Sequence, residues 1–475
     1  MTSKTMSAPR RLHPLVALFA SLKGIRDMFI PLMVVLVGTF IRGNEDQFSL
    51  YELGIWGAIT LLTVLWGIFH WRTFTYRIEE GEFRVEQGVF IREKKYIPLE
   101  KIHSIDFTES LLHQIFGVVK VQMQTAGGIE PEVKLTAVTK EEAERLKQEI
   151  LAWNQTSTSE EAIVEITENE RTITTKELVV TGITSGKIGV ILSGVVTLFS
   201  FIAQIFEDID FIDYLPQFSQ WQGYILLGIA ILAITWIISV IYTIILYGNF
   251  KVQRTGDKLF ISYGILERKQ FTISLFRIQS IKMIEGLLRQ PLGYVTLKLV
   301  YAGGEIGQPE NVLLFPLMKK GKVVSFLQTF LPDYAEDLEV KGLPKRALSR
   351  YMYWNTIPWL PVVAGLIYFF PTWGLLSLLL LPMGALFGAL KFRDAGFFLK
   401  GNKLMIRSRK LARTTGIIPR LRIQSHLIQR SYFQRRKELA TYSVNVASSF
   451  AGEDFKVKDL DEKDGKMLFE TLTKR

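Results

Sequence analysis

Ten cations crowd the last fifth of the chain: Arg407, Arg409, Lys410, Arg413, Arg420, Arg422, Arg430, Arg435, Arg436 and Lys437. Guanidinium and ammonium groups at this density attract phosphate. Near an anionic leaflet each is worth on the order of 1 kcal/mol, declining over a Debye length of about 8–10 Å. These ten are the candidate lipid- or anion-contacting residues. The plainer alternative is a solvated basic surface. Nucleic-acid binding fits the charge alone, but a membrane tether and few exposed-looking aromatics speak against it.

Other chemistry is thin. The chain has no cysteine, which excludes disulfides, thiolate metal sites, iron–sulfur clusters and a cysteine nucleophile. Its five histidines are His13, His70, His103, His113 and His426. His103 and His113 lie ten apart without a neighbouring carboxylate cluster, a poor metal pattern. Gly127-Gly128 and Gly303-Gly304 are too short for a phosphate-cradling loop and lack a following Lys-Ser/Thr, so they read as turns. No Ser-His-Asp arrangement is suggested by spacing. The expectation is a protein that is not an enzyme, with no catalytic residue, no cofactor and no metal.

The elements that must position the cations come next. The chain has 475 residues, 48% of them hydrophobic, and a net charge of +11. Between Lys391 and Lys437 stand 14 Lys or Arg against the single acid Asp394, while the tail from Glu438 carries a net −2. The chain before Lys391 is therefore balanced. Six apolar runs alternate with the charged segments: Met28–Ile41, Leu53–Phe69, Ile188–Phe206, Trp221–Leu246, Thr356–Phe370 and Trp373–Phe392. A helix needs around 20 apolar residues to cross a bilayer core of about 30 Å. Ile188–Phe206 and Trp221–Leu246 meet that standard without a charge. Pro371-Thr372-Trp373 reads as a tight turn inside a third hairpin. Gly43–Glu52 and Glu207–Gln220 carry acids and no Lys or Arg, whereas Arg10, Arg11, Lys23, Arg72, Arg77, Lys187, Lys251, Lys345, Arg346, Arg350, Lys391 and Arg393 flank the opposite ends. The positive-inside rule then places both termini and every large polar segment in the cytoplasm. An acidic loop suits calcium, but is more simply a translocated, solvated loop.

Internal repetition orders the rest. Gly88–Gly128 matches Gly264–Gly304 without a gap at an offset of 176 residues, and a third copy follows 145 residues later. Ile97-Pro98 corresponds to Ile418-Pro419, and Arg277-Ile278-Gln279-Ser280 recurs as Arg422-Ile423-Gln424-Ser425. His103 aligns with Gln279 and Gln424, which favours a hydrogen-bonding position over catalysis. In the third copy Glu438 stands where Gly117 and Gly293 stood, and Ser448-Ser449 replaces the glycine pair. Tyr76–Val85 alternates around Glu80-Gly81, and Val118–Thr125 and Val295–Val300 also alternate, so each copy is rich in strands. A helix closes each: from Thr139, with a capping-box pattern, to about Trp153; Lys319–Phe330; and Asp461–Leu472. Short basic or amphipathic leads precede the hairpins at Arg11–Leu22, Thr175–Ile183 and Lys345–Tyr353, with the composition of interfacial helices.

The Ile-Pro-Leu/x-x-Lys/Arg-Ile-x-Ser core, the Leu-Leu-x-x-x-x-Gly segment and the strand ending in Ala-Gly-Gly resemble the bacterial pleckstrin-homology-like (PH-like) membrane-flanked domain. The resemblance covers nearly the whole chain. It implies six transmembrane helices as three hairpins, each followed by a cytoplasmic PH-like β-barrel or sandwich with a C-terminal helix. The expected boundaries are 1–27 basic lead, 28–70 hairpin, 71–153 PH-like domain, 154–187 linker and lead, 188–247 hairpin, 248–335 PH-like domain, 336–355 lead, 356–392 hairpin and 393–475 basic PH-like domain. The resemblance also implies a partner, a shorter single-domain PH-like membrane protein. The expected function is an integral cytoplasmic-membrane scaffold or binding protein in cell-envelope homeostasis. Its partners would be anionic phospholipid of the inner leaflet, other proteins, or both, but not nucleic acid. The alternative is a membrane transporter or its accessory subunit.

Overall fold

The computed structural model describes residues 9–24, 26–27, 50–125, 133–156, 169–185, 189–194, 196–197, 221–302, 311–336, 339–448 and 452–473. The run Met28–Ile41, both acidic loops, most of the 154–171 linker and both glycine pairs lie wholly or largely outside these residues. Each repeat contributes seven strands. The first has β1 (Arg10–Arg11), β2 (Thr75–Glu79), β3 (Glu82–Gln87), β4 (Glu93–Pro98), β5 (Ile102–Glu109), β6 (Val118–Thr125) and β7 (Val133–Thr139). The second has β8 (Asn169–Thr172), β9 (Lys251–Thr255), β10 (Lys258–Tyr263), β11 (Arg268–Ser274), β12 (Ile278–Glu285), β13 (Tyr294–Tyr301) and β14 (Asn311–Lys319). The third has β15 (Lys341–Gly342), β16 (Gly396–Lys400), β17 (Lys403–Arg409), β18 (Arg413–Pro419), β19 (Ile423–Gln429), β20 (Leu439–Val446) and β21 (Glu453–Asp461). The chain forms two compact units: Met1–Ile166 with Ser185–Asn249 and Ile261–Thr272, and Thr167–Thr184 with Phe250–Phe260 and Ile273–Arg475.

In the first unit β1-β2-β3-β4 form one antiparallel sheet. The expected turn between β2 and β3 is present. Glu80 (φ 54°) and Gly81 (φ 78°) are both left-handed, as a tight hairpin with right-handed strand twist requires. Alternate residues such as Phe83 and Val85 point into a core shared with Leu99, Val121, Leu135 and Leu146 of the closing helix Lys140–Thr156. β5, β6 and β7 make a second antiparallel layer. The strand β1 is absent from the sequence reading. It ties the chain just before the first hairpin to β2 just after it, through the pairs Arg10↔Tyr76 and Arg11↔Thr75. β8–β9 and β15–β16 do the same in the second unit.

The expected self-contained barrels are corrected by the sheet topology. β5 of the first repeat pairs with β11 of the second, with Glu109 opposite Arg268 and Thr108 opposite Lys269. Inside the second unit β12 pairs in the same way with β18 of the third repeat, Glu285 opposite Arg413 and Lys282 opposite Gly416. Within each unit, then, a strand of one repeat pairs with a strand of the next.

Among the described residues two helices have the length and hydropathy to cross a membrane, Ile225–Tyr247 and Leu375–Asp394, with mean hydropathies of 2.6 and 1.9. The 24-residue helix Leu50–Thr73 contains the second expected span. The tight turn at Pro371 is corrected to a short helical segment, Pro371–Gly374, running into the 3-10 stretch Leu375–Leu379. The fifth span is also shorter than expected: a lead helix Leu348–Thr356 ends, and Trp359–Phe369 begins behind Pro358.

The leads are helices at the expected places. The second, Thr175–Ile183, is closed by a full capping box between Thr174 and Glu177. The first and third do more than lie at an interface, because each packs on the second helix of its own hairpin through small residues. A Cβ on Gly67 would meet Ser21 Oγ at 2.8 Å, and one on Gly384 would meet the Asn355 carbonyl at 2.8 Å. One on Gly388 would meet the Tyr351 carbonyl at 2.5 Å. In the second repeat Ser239 and Thr243 hold the corresponding places and hydrogen-bond Ser185, each at 3.2 Å. Small residues four apart allow such close approach, and buried hydroxyls add cross-helix bonds.

Candidate functional site

The cations of the third repeat divide by environment. Arg409 is buried, its guanidinium bonded to Asp394 at the end of the membrane helix and to Gln290 of the second repeat. Arg413 clamps Glu285 with two nitrogens and reaches Asp394 at 3.1 Å. Burial pushes its guanidinium down, but Glu285 and Asp394 together hold it above the usual range. Glu285 also faces Lys320 at 3.8 Å. Arg407 is half-buried beside this cluster, donates to Thr415 Oγ1 at 3.2 Å, and is lowered by burial and by Arg413. Arg407, Arg409 and Arg413 therefore belong to the joint between repeats. This corrects their reading as lipid contacts: their charge is spent on buried carboxylates and neighbouring side chains.

Arg422 lies against the Tyr334 hydroxyl, which donates to the Ile278 carbonyl at 2.7 Å and is pushed up to about 12 by burial. Arg420 has one amino group without a hydrogen-bond partner and lines a shallow groove with Lys463 and Lys466. Arg430 pairs with Glu462, whose carboxyl is held below its usual range by the Lys466 hydrogen bond, with Arg430 adding to it against burial.

The remaining four, Lys410, Arg435, Arg436 and Lys437, are exposed at two turns. Lys410 shares the β17–β18 turn with Leu411, which is also exposed. The second turn contains the short helix Tyr432–Arg435, opened by a capping box from Ser431 to Gln434. Tyr432 and Phe433 are 63% and 64% exposed. Arg436 stacks over the Tyr432 ring at 4.8 Å. This turn is anchored to the lead helix: Lys437 donates to Ser349 Oγ at 2.9 Å, and Arg350 bonds Asp459 at 2.9 Å, which in turn accepts from Gln434 at 2.6 Å.

The same two turns recur in the first two repeats, apolar but nearly uncharged. Phe90 touches Trp66 of the membrane-side helix, with ring centroids 5.8 Å apart. Leu111, Leu112 and Ile115 are exposed, and His113 stacks on Phe19 of the lead helix at 4.4 Å. Leu287, Leu288 and Leu292 are exposed, and Arg289 donates to Thr184 of its own lead at 3.0 Å. Every repeat thus presents apolar turns beside its own lead helix. The sequence reading recognised the Leu-Leu segments only as fold markers. Their exposure was not foreseen.

These features define a class, a membrane-anchored chain of tandem PH-like modules joined by shared sheets. The Bacterial PH domain family pattern matches residues 18–152, 191–331 and 355–475, and the chain belongs to this family. It is 35% identical over 489 aligned positions to the UPF0699 transmembrane protein YdbT of Bacillus subtilis (strain 168), covering 98% of both chains. It is also 24% identical over 123 residues to the UPF0699 transmembrane protein YdbS of the same organism, covering 25% of this chain and 76% of that protein.

Proposed function

We propose that the chain is a non-enzymatic scaffold of the cytoplasmic membrane. Three hairpins, six spans in all, hold the modules on the cytoplasmic face with both termini inside, and the third module docks on anionic lipid. One observation carries the reading. Tyr432 and Phe433 are exposed beside Arg435, Arg436 and Lys437, in a turn fastened to the lead helix at Ser349. Aromatic rings at headgroup depth and cations over anionic phosphate are the two components of interfacial anchoring. The nearly uncharged turns of the first two modules would enter the interface with little dependence on the lipid charge. A transport role would call for ionisable relay groups within the spans, and Trp221–Leu246 carries none.

The test uses the absence of native cysteine. A polarity-sensitive fluorophore on Phe433→Cys in the full chain, reconstituted in nanodiscs, should shift to the blue with phosphatidylglycerol and lose most of that shift in high salt. Reversing Arg435, Arg436 and Lys437 to Glu should abolish it. An equal shift in purely zwitterionic nanodiscs would overturn the lipid reading.

A further inference from the structure

Two sheet edges of one kind are covered within this chain, and a third is bare. β5 carries β11, and β12 carries β18. The third member of the series, β19, ends its sheet in the order β19-β20-β21, with no strand on its outer side among the described residues. It keeps the Ile-Gln-Ser of β12, yet Leu427 is 48% exposed, whereas Lys282 at the same place of the covered strand β12 is 9% exposed. From Ile423 to Gln429 it has no Lys, Arg, Asp or Glu. Edge strands that stay unpaired are ordinarily guarded by such charges.

The charges at the end of the edge are reversed as well. Glu109 pairs with Lys140 at 2.8 Å in the first repeat, and Glu285 faces Lys320 in the second. Lys140, Lys320 and Glu462 hold one place, each donating its backbone N–H to the carbonyl at Gly117, Gly293 or Glu438. In the third repeat the pair is Arg430 with Glu462. At both covered joints an Arg of the incoming strand, Arg268 or Arg413, stands opposite the acid. The corresponding residue of the first repeat is Arg92. A second copy docking its β4 on β19 in the same register would set Arg92 against Arg430 and Lys95 against Leu427. Like charges directly opposite destabilise a strand pair.

We infer that β19 is a docking edge for another chain's PH-like repeat, taken through that repeat's β4-type strand and bearing an acid where Arg268 and Arg413 stand. Main-chain hydrogen bonds would supply affinity and Arg430 the selectivity. Arg435 occupies the place of Gln114, which donates to the Ile265 and Leu266 carbonyls of the incoming turn at 3.3 and 3.0 Å. It is set to make the same contact. The inference does not rest on lipid docking, although Arg435 also belongs to the turn of that reading, and the test below leaves Arg435 unchanged.

The experiment uses the full chain, with a charge-altered second copy as probe. One molecule carries Leu427→Cys and the other Lys95→Cys, the pair that the Lys282↔Gly416 register places opposite each other. Co-reconstituted in nanodiscs and mildly oxidised, the Lys95→Cys molecule that also carries Arg92→Glu should cross-link at least tenfold more than one retaining Arg92. Adding Arg430→Glu to the Leu427→Cys molecule should permit cross-linking to the probe that retains Arg92 and abolish it to the probe that carries Arg92→Glu. This reciprocal pattern separates docking from misfolding of either variant. Equal cross-linking with unaltered Arg92 would make the occupant a second copy and overturn the inference, as would cross-linking in no combination.

Discussion

The first and third repeats share a fold and differ in what their boundaries meet. The first repeat hands its β5 edge to β11, shields Glu109 in that joint, sets Phe90 against Trp66 and leaves Leu112 exposed. Among the described residues the third has no strand on the outer side of β19; it reverses the charge pair at Arg430 and Glu462, and surrounds its apolar turns with Lys410, Arg435, Arg436 and Lys437. An interior module satisfies its edge inside the chain. Under the proposals above, the third module offers that edge to a partner and its charged turns to lipid. The +13 balance between Lys391 and Lys437 thus has two separate causes. Asp394 and Glu285 require Arg409 and Arg413 inside a joint, while the turns carry surface charge.

The joints can be broken unequally. Glu285→Ala should cost about 3 kcal/mol of unfolding free energy, because it removes the carboxylate that Arg413 clamps and leaves that part-buried guanidinium only Asp394. Glu109→Ala should cost about 1 kcal/mol, since Lys140 is half-exposed and keeps its water. Denaturant titration of the two variants in one detergent compares them directly, and equal losses would show that the joints are alike. Next in size is Gly388→Leu, which drives a side chain into the Tyr351 carbonyl. It should cost about 1–3 kcal/mol and lower the thermal midpoint, while Gly365→Leu, with open space around it, should not.

A smaller effect comes from the backbone. Glu438 keeps the left-handed conformation of its glycine counterparts at φ 50°, against 65° at Gly117 and 67° at Gly293. The loss of glycine therefore leaves the turn geometry intact and adds strain. Glu438→Gly should stabilise the third module by up to about 1 kcal/mol, read as a raised thermal midpoint. Gly117→Glu should lower it. The smallest effect is set by pH. Burial lowers the pKa of His426, whose Nδ1 lies 3.1 Å from the Tyr442 hydroxyl. The unfolded chain then binds a proton more readily than the folded one, so stability is unaffected above the ordinary histidine range and falls as pH drops through and below it. His426→Gln should flatten that part of the stability–pH curve, and an unchanged curve would remove His426 from the account.

Much of this was legible in the residues. The 176-residue offset, the strand alternation around Glu80-Gly81, the closing helices and the lead at Thr175–Ile183 all follow from local spacing. The joints were not legible, because pairing between copies leaves no periodic trace. Their only sign is a charge retained at one aligned place, Glu109 and Glu285 at the end of an apolar strand with Arg268 and Arg413 answering. The small residues Gly384 and Gly388 were visible at helical spacing but were read simply as part of an apolar run. The ten cations looked like one surface because sequence proximity does not reveal that Arg409 turns inward to Asp394 while Lys410 beside it is exposed.

The most direct test of the central claim compares equivalent turns. Fluorophores on Leu112→Cys and Phe433→Cys in the full chain, each in phosphatidylcholine and in phosphatidylglycerol nanodiscs carrying brominated acyl chains, report depth through quenching. The account predicts that quenching at residue 112 is the same in both lipids, and that quenching at residue 433 rises several-fold with the anionic lipid and falls with salt. Identical behaviour at the two positions would contradict it.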